Sequence, residues 1–277
     1  MDEKGTPVAR VNRIADQLLD HVGRYEKIHE PRAVFAYAYL QLTTLLAVDL
    51  AKEPRRFSDA VWVATLCERL AAEYFVAMSH IDNWLDDTDR NHRNADRLTL
   101  PATIPQPWRD VYAAQIGGQS YVVEDLLFSM MAHISYDLPV ALDKLTSSAD
   151  RAEHISDFHC MNDVLGNSID AVQDKVFDRY CRGLEQVDRL LARQDELLSN
   201  YGIRLARAAA WYNYERLQDY PGRTAAMSSI SRSTGELIAN VRRPDYWPLR
   251  LGLTVARRIV PSRRQWPRTP VGNQARH

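Results

Sequence analysis

The chain has 277 residues, of which 45% are hydrophobic and 26% are charged, and its formal net charge is −1 at pH 7. This balance is ordinary for a globular protein and excludes a strongly basic chain, so we expect no specific nucleic-acid partner. The three cysteines, Cys67, Cys160 and Cys181, are too widely spaced for a zinc ribbon or a disulfide framework. Without an apolar leader or a run of about eighteen apolar residues, the sequence predicts a cytoplasmic location and no membrane-spanning helix.

Helical periodicity recurs along almost the whole chain, and few segments alternate in the way that half-buried strands do. We therefore expect an all-α fold, a single-domain multi-helix bundle in which residues 1–260 form the helical domain. In chain order, the predicted helices cover residues 7–27, 32–53, 58–88, 106–117, 120–145, 149–198 with a break, 200–219, 222–241 and 246–260.

An acidic stripe lies near the end of the third predicted helix. Asp82, Asp86 and Asp89 recur at i, i+4 and i+7, so they share one helix face. Three carboxylates on one stripe repel each other unless a cation or water neutralises them. The stripe is therefore a candidate cation site or, alternatively, a solvated helix end.

The fifth predicted helix carries the most informative segment, in which an imidazole and a carboxylate stand four residues apart among apolar neighbours. His133 and Asp137 share a helix face, and their surroundings predict that this face points to the interior. Pro139 cannot donate to the carbonyl of Ser135 and crowds it, so we expect the helix to bend or begin again there. Such a pair is either a functional site or a structural hydrogen-bonded pair.

A second group of histidines and acids follows after residue 149. His154 and Asp157 stand at i, i+3, and His159 and Asp163 at i, i+4. Imidazoles and carboxylates on facing helices build divalent-metal sites in bundle proteins. His154 and His159 diverge by about 140° on a regular helix, so only one of them can point inward.

The predicted metal site combines the two segments and would hold zinc, iron or manganese. Asn162 would orient the substrate or a ligating carboxylate. The predicted ligands are His133, Asp137, His154 and Asp157, with His159 and Asp163 as the alternatives to the last two.

Residues 131–142 read Met-Ala-His-Ile-Ser-Tyr-Asp-Leu-Pro-Val-Ala-Leu, and this segment resembles the signature of a bacterial, mainly actinobacterial, family of unknown function. The resemblance continues at residues 154–158, 162–165 and 209–213 and spans roughly residues 30–220. It implies a helical fold but no activity. The positions at which that family's pattern is polar correspond to His133, Asp137, His154, Asp157 and Asn162.

A weaker resemblance connects the acidic stripe with a second segment, in which Asn162, Asp163, Gly166 and Asp170 follow one another. Together they resemble the two magnesium-binding motifs of class I terpene synthases, which implies Mg²⁺ and a prenyl diphosphate substrate. The residues implied to bind the cofactor are Asp82, Asp86, Asp163 and Asp170. The chain departs from that pattern in the spacing of its acids and in having Gly166 where a serine is expected.

The spacing of histidines and acids is also distantly similar to the zinc-dependent phospholipase C and nuclease group, which is all-α and cleaves phosphodiesters at a multi-metal centre. That group uses an N-terminal tryptophan ligand and several more histidines, whereas this chain begins Met-Asp-Glu-Lys and has eight histidines in total.

The C-terminal region is basic, with nine arginines and a single acid from residue 241 onward. A basic amphipathic tail can bind weakly to an anionic membrane surface. We expect a last helix that packs on the bundle and a disordered basic tail at residues 261–277.

These observations predict a metal-dependent enzyme of bacterial, possibly specialised, metabolism that acts on a small phosphoester or diphosphate substrate, with His133, Asp137 and Asn162 at its centre. One alternative is a terpene-cyclase-like lyase that uses Mg²⁺. The other is a non-enzymatic ligand-binding or scaffold protein, in which His133 and Asp137 form a buried structural pair. The sequence does not determine the oligomeric state.

Overall fold

The computed structural model describes residues 5–91, 100–116, 120–147, 149–181, 200–243, 264–268 and 271, and these residues form an all-α bundle. Within them no β-strand forms, and only an isolated bridge joins Cys181 to Arg264. In chain order the helices are α1 (Pro7–Lys27), α2 (Arg32–Leu50), α3 (Ala60–Asn91), α4 (Gln106–Ile116), α5 (Val122–Ala132), a π-helical segment (His133–Asp137), α6 (Leu138–Leu145), α7 (Arg151–Gly166), α8 (Ile169–Tyr180), α9 (Asn200–Leu217), a 3₁₀ turn (Tyr220–Gly222) and α10 (Arg223–Arg242).

The predicted all-α fold is confirmed, and the first helices begin and end close to their predicted bounds. The long helix predicted at 149–198 divides at residues 167–168 into α7 and α8, while its last third lies outside the described residues. The helix predicted at 246–260 also lies outside them.

Helix α1 forms one wall of the bundle because its apolar residues follow the helical period. The side-chain oxygen of Thr6 accepts from the backbone N–H of Ala9 at 3.2 Å, and Pro7 occupies the first turn, where its missing N–H costs nothing. Val11, Ile14 and Leu18 recur on one face and are buried against α2 and α3.

Helix α2 is the central helix, and it contacts α1, α5, α7 and α8. Its residues are apolar on nearly every side, as expected of a helix that other helices surround. Among the described helices, it is the one with the length and composition to cross a membrane, with a mean hydropathy of 1.5 in its most apolar window. Because 61% of that window is buried within the bundle, the same composition is accounted for by a core helix.

The helix that carries His133 is continuous from Val122 to Leu145, with the π-helical segment in its middle. The backbone N–H of Leu138 donates to the carbonyl of His133, which closes the wider π-helical turn. Pro139 lies immediately beyond and lacks the N–H that would otherwise reach back to Ser135. The expected bend is therefore realised as a widened turn rather than as a break.

The described C-terminal residues 264–267 are packed against the bundle, whereas the sequence predicts a disordered tail there. The backbone N–H of Gln265 donates to the carbonyl of Tyr180 at 2.8 Å, and the ring of Trp266 stacks on His29. Arg264 reaches the carboxylate of Asp125, which is fully buried, at 2.7 Å. A buried carboxylate attracts a cation strongly enough to anchor this part of the tail.

Candidate functional site

His133 and Asp137 form a buried pair at the two ends of the π-helical segment. The Nδ1 of His133 lies 3.0 Å from the Oδ2 of Asp137, and the two residues are 6% and 1% exposed. Because a carboxylate accepts hydrogen bonds, this contact places the ring hydrogen on Nδ1 and leaves the lone pair on Nε2 in a neutral ring. The Nε2 atom has no hydrogen-bond partner among the described residues.

Trp108, at the start of α4, fixes the carboxylate of this pair. Its Nε1–H donates to both oxygens of Asp137, at 3.0 and 3.1 Å. Burial raises the pKa of Asp137 above its usual value, while the hydrogen bonds from His133 and Trp108 oppose the shift. The result is an imidazole whose orientation is set by a carboxylate, and a carboxylate whose orientation is set by an indole.

A cavity of about 80 Å³ lies beside the imidazole. Its walls are apolar and come from α1, α2, α3, α5, α6, α7, α9 and the π-helical segment. Representative lining residues are Ile14, Leu42, Leu70, Met130 and Met161. A cavity of this kind holds a small, mainly apolar molecule, since an engineered apolar cavity of about 150 Å³ binds benzene.

Arg207 of α9 lines the same cavity and is 2% exposed. Its Nε donates to the Oδ1 of Asn162, and its guanidinium lies 4.4 Å above the ring centre of Phe158. Its Nη2 has no hydrogen-bond partner, and no carboxylate of the described residues forms an ion pair with it. Burial lowers the pKa of Arg207 to about 10, which still leaves the guanidinium charged at neutral pH.

Two further polar side chains lining the cavity are unsuited to nucleophilic catalysis. Burial raises the pKa of the Cys67 thiol to about 12, so the thiol stays protonated at neutral pH. Burial also raises the pKa of Tyr39 well above its usual value, and its ring lies 4.6 Å from that of His133. Among the side chains that line the cavity, His133 is therefore the candidate acid–base group.

The structure does not bring the four predicted metal ligands together. Asp157 accepts from the backbone N–H groups of Ser58 and Asp59, at 2.8 and 2.6 Å, where α3 begins. His154 stacks on Trp62 in the first turn of α3, with ring centres 4.6 Å apart.

The distance along α3 explains why these ligands stay apart. The ring of His133 packs on Tyr74, which lies about 18 Å farther along the axis of α3 than Trp62. The ligand atoms of one zinc ion lie within roughly 4 Å of each other. In the described part of the chain, no group of three or more His, Cys, Asp or Glu side chains is placed to hold a metal ion.

The acids of the two predicted magnesium motifs have separate partners. Asp82 pairs with Arg32 at 2.7 Å and with Arg24 at 3.6 Å, whereas Asp163 pairs with Arg204 of α9 at 2.6 Å.

The remaining acids of these motifs do not complete a site. Asp86 and Asp170 are exposed, and the side chain of Asp89 lies outside the described residues. Of the acidic stripe, Asp82 is thus neutralised by arginines of the protein itself, one of which, Arg32, is buried.

Asn162, expected to orient the substrate or a ligating carboxylate, is buried and accepts instead from Arg207, which is not among the predicted site residues. The sequence did contain a signal for Arg207. It stands on the same helical stripe as Ile203, Ala210 and Trp211, all of which are buried, so the period of α9 places an arginine among core residues. His159, the alternative ligand, is exposed.

Comparisons with known proteins agree with the resemblance to a family of unknown function. The comparison with curated proteins gave no significant match, and neither did the comparison with solved structures. A family described as "Family of unknown function (DUF5995)" matches residues 9–244. This match includes every helix from α2 to α10 and most of α1, together with the His133–Asp137 pair and Arg207. The chain therefore belongs to the DUF5995 family.

Proposed function

We propose that the protein is an enzyme that transfers a proton to or from a small, mainly apolar substrate held in the cavity, with His133 as the general acid–base. The observation that supports this proposal is the unpartnered Nε2 of a buried imidazole, whose Nδ1 is held by Asp137, beside an apolar cavity. A buried polar atom without a partner is costly to stability, and such atoms concentrate where a ligand completes the bonding.

The mechanism follows from the order of the contacts. Asp137 accepts the Nδ1–H of His133, so the lone pair of Nε2 is available to a substrate O–H or C–H, or to a water bound with it. When Nε2 takes up a proton, the imidazolium is stabilised by the adjacent carboxylate. Trp108 holds that carboxylate through both oxygens, and the apolar walls exclude bulk water.

The test is a reaction screen in D₂O with wild-type protein and the His133→Gln variant. Small aliphatic carboxylates, carbonyl compounds and esters are followed by NMR for deuterium incorporation and for conversion. We expect wild-type protein to act on at least one of them and His133→Gln to be slower by about 10²- to 10⁴-fold, the usual contribution of general acid–base catalysis.

The matched control is His80→Gln, because His80 bonds to the carbonyl of Thr103 and does not line the cavity. This variant should keep the wild-type rate. Equal rates for wild-type protein and His133→Gln would contradict the proposal, as would the absence of any reaction among compounds that bind in the cavity.

The metal-dependent phosphoester activity and the magnesium-dependent lyase activity stay predictions from the sequence. Each needs a set of acids or histidines around a cation, and the described residues of these sets lie in separate ion pairs and helix caps. The cytoplasmic location and the weak membrane contact of the tail likewise stay predictions.

A further inference from the structure

The guanidinium of Arg207 is a buried cation without a counter-ion in the described part of the chain. Its burial is nearly complete, and its partners among the described residues are a neutral amide, Asn162, and an aromatic ring, Phe158. A buried charge that is not paired costs several kcal/mol in general, and proteins retain such charges where a function requires them. By comparison, the arginines at 204 and 223 each pair with an acid.

We propose that the cavity binds a short aliphatic carboxylate, whose anionic group pairs with Arg207 and whose chain fills the apolar space toward His133. This inference rests on the proposed function, because it names the class of substrate that the same cavity takes. Its own support is the unpartnered Nη2 of Arg207, which lines the cavity together with His133.

A carboxylate fits this site better than other anions do. The guanidinium presents its N–H groups in a planar fork that matches the two oxygens of a carboxylate. One guanidinium neutralises one negative charge, and the cavity also borders His133, which is bonded to the carboxylate of Asp137. A phosphate dianion would bring a second negative charge close to that carboxylate without a second cation to balance it.

The size and the lining of the cavity restrict the rest of the ligand. A volume of about 80 Å³ is smaller than the roughly 150 Å³ cavity that accommodates benzene, so a short chain fills it and a long one does not. Most of the remaining wall consists of apolar side chains, such as Leu42, Leu70 and Met161, which favour hydrocarbon over hydroxylated chains.

Two contacts hold the guanidinium of Arg207 in place. Asn162 accepts from its Nε, while Phe158 covers one face of the guanidinium. Asn162 and Phe158 thus act as positioning residues, since a fixed fork loses less entropy when it binds an anion.

The experiment is a calorimetric titration of the full-length protein with sodium butyrate, with butyramide as the neutral compound of the same shape. Acetate, hexanoate, octanoate and inorganic phosphate complete the series. We expect butyrate to bind at least about tenfold more tightly than butyramide, because the carboxylate adds an attraction between opposite charges to the hydrogen bonds that both compounds accept from the guanidinium. Affinity should rise from acetate to butyrate and fall again at octanoate.

The variant Arg207→Met removes the charge and keeps most of the length of the side chain. It should weaken butyrate binding by about tenfold to a hundredfold and weaken butyramide binding by clearly less, since the neutral amide loses a hydrogen bond but no attraction between opposite charges. The matched control is Arg204→Met, one turn earlier on α9, which loses an ion pair with Asp163 but does not line the cavity. This variant should bind butyrate as wild-type protein does.

Three results would overturn the inference: equal affinities of wild-type protein for butyrate and butyramide, unchanged butyrate binding by Arg207→Met, or binding of phosphate alone. If Arg207→Met does not fold, the comparison of butyrate with butyramide on wild-type protein decides by itself. Carboxylate binding without any His133-dependent reaction would leave the inference standing and reject the proposed function. A His133-dependent reaction that proceeds as fast in Arg207→Met would support the proposed function and reject the inference that Arg207 binds the carboxylate.

Discussion

Arg207 and Asp137 are both almost completely buried, yet the protein treats their charges differently. The carboxylate of Asp137 accepts three contacts, from His133 and from the indole of Trp108, so its charge is dispersed among donors. The guanidinium of Arg207 has donors to spare and one neutral acceptor, Asn162. The cavity therefore combines an excess of hydrogen-bond donors on the side of α9 with a free acceptor, Nε2, on the side of His133.

A single histidine outside the cavity should govern part of the pH dependence of stability. Burial and the neighbouring charge of Arg24 lower the pKa of His21 to about 4, and Arg24 donates to its Nδ1 at 3.1 Å. Because the folded pKa lies below the unfolded value of about 6.5, the unfolded chain takes up the proton first, and stability falls as the pH drops from 6.5 to 4.

His21→Phe should therefore be less sensitive to acid than wild-type protein. The phenyl ring can keep the stack on Phe75, where the rings are 4.9 Å apart, but it does not titrate. We expect the loss of unfolding free energy between pH 7 and pH 5 to be smaller by about 1 kcal/mol, after allowance for the partial exposure of His21. Urea denaturation at the two pH values measures this, and an identical loss in both proteins would contradict it.

At the scale of the elements, the start of helix α3 is capped by Asp157, a residue about a hundred positions later in the sequence. The carboxylate of Asp157, on α7, accepts from two consecutive backbone N–H groups there, and Asp59 accepts from the N–H of Trp62. The first N–H groups of a helix have no partner within it and attract negative charge. Asp157 thereby joins two helices that contact each other little elsewhere.

Removal of this carboxylate should destabilise the bundle. Asp157→Ala leaves the two N–H groups at the start of α3 without their acceptor, and we expect a loss of about 0.5–2 kcal/mol in the free energy of unfolding, the usual cost of losing a helix cap. Thermal or urea denaturation measures the change. Asp174→Ala, an exposed acid on α8, is the control and should change stability by less than about 0.5 kcal/mol. Similar stabilities of the two variants would show that the cap contributes little.

At the scale of the whole molecule, the described part of the C-terminal tail, residues 264–268, covers a buried acid. Burial raises the pKa of Asp125 to about 6, although Arg264 and the hydroxyl of Ser120 both bond to the carboxylate and lower it. The tail thus connects the end of the chain to α5, while the backbone of Gln265 connects it to α8.

Arg264→Met should leave Asp125 without its cation and destabilise the protein by about 3–5 kcal/mol at pH 8. The effect should be smaller at pH 5, because the unpaired carboxyl has a still higher pKa and takes up a proton there. Arg268→Met provides the control, since Arg268 is exposed and forms no ion pair among the described residues. Denaturation curves at the two pH values test this, and a loss that does not depend on pH would argue against the role of Asp125.

The sequence predicts the helices well because each buried face repeats with the period of the helix, as in α1 and α2. It also predicts that His133 and Asp137 lie together, since both belong to one turn. The predicted metal ligands do not lie together because His154 and Asp157 belong to α7. The periodicity of a sequence does not tell at which point along its axis α7 contacts α3. Arg207 was not predicted because arginine is usually a surface residue. Its burial becomes evident only from the buried residues of α9 that share its helix face, such as Ile203 and Ala210.

The cavity is formed by residues that are far apart in the sequence, from Ile14 in the first helix to Arg207 in α9. It therefore forms only when the chain is folded. An unfolded chain consequently offers nothing for a ligand to hold. A ligand that binds the folded cavity but not the unfolded chain therefore stabilises the folded state, and binding and folding are linked equilibria. At a ligand concentration of about 100 times Kd, this coupling alone adds roughly 2.7 kcal/mol to the free energy of unfolding.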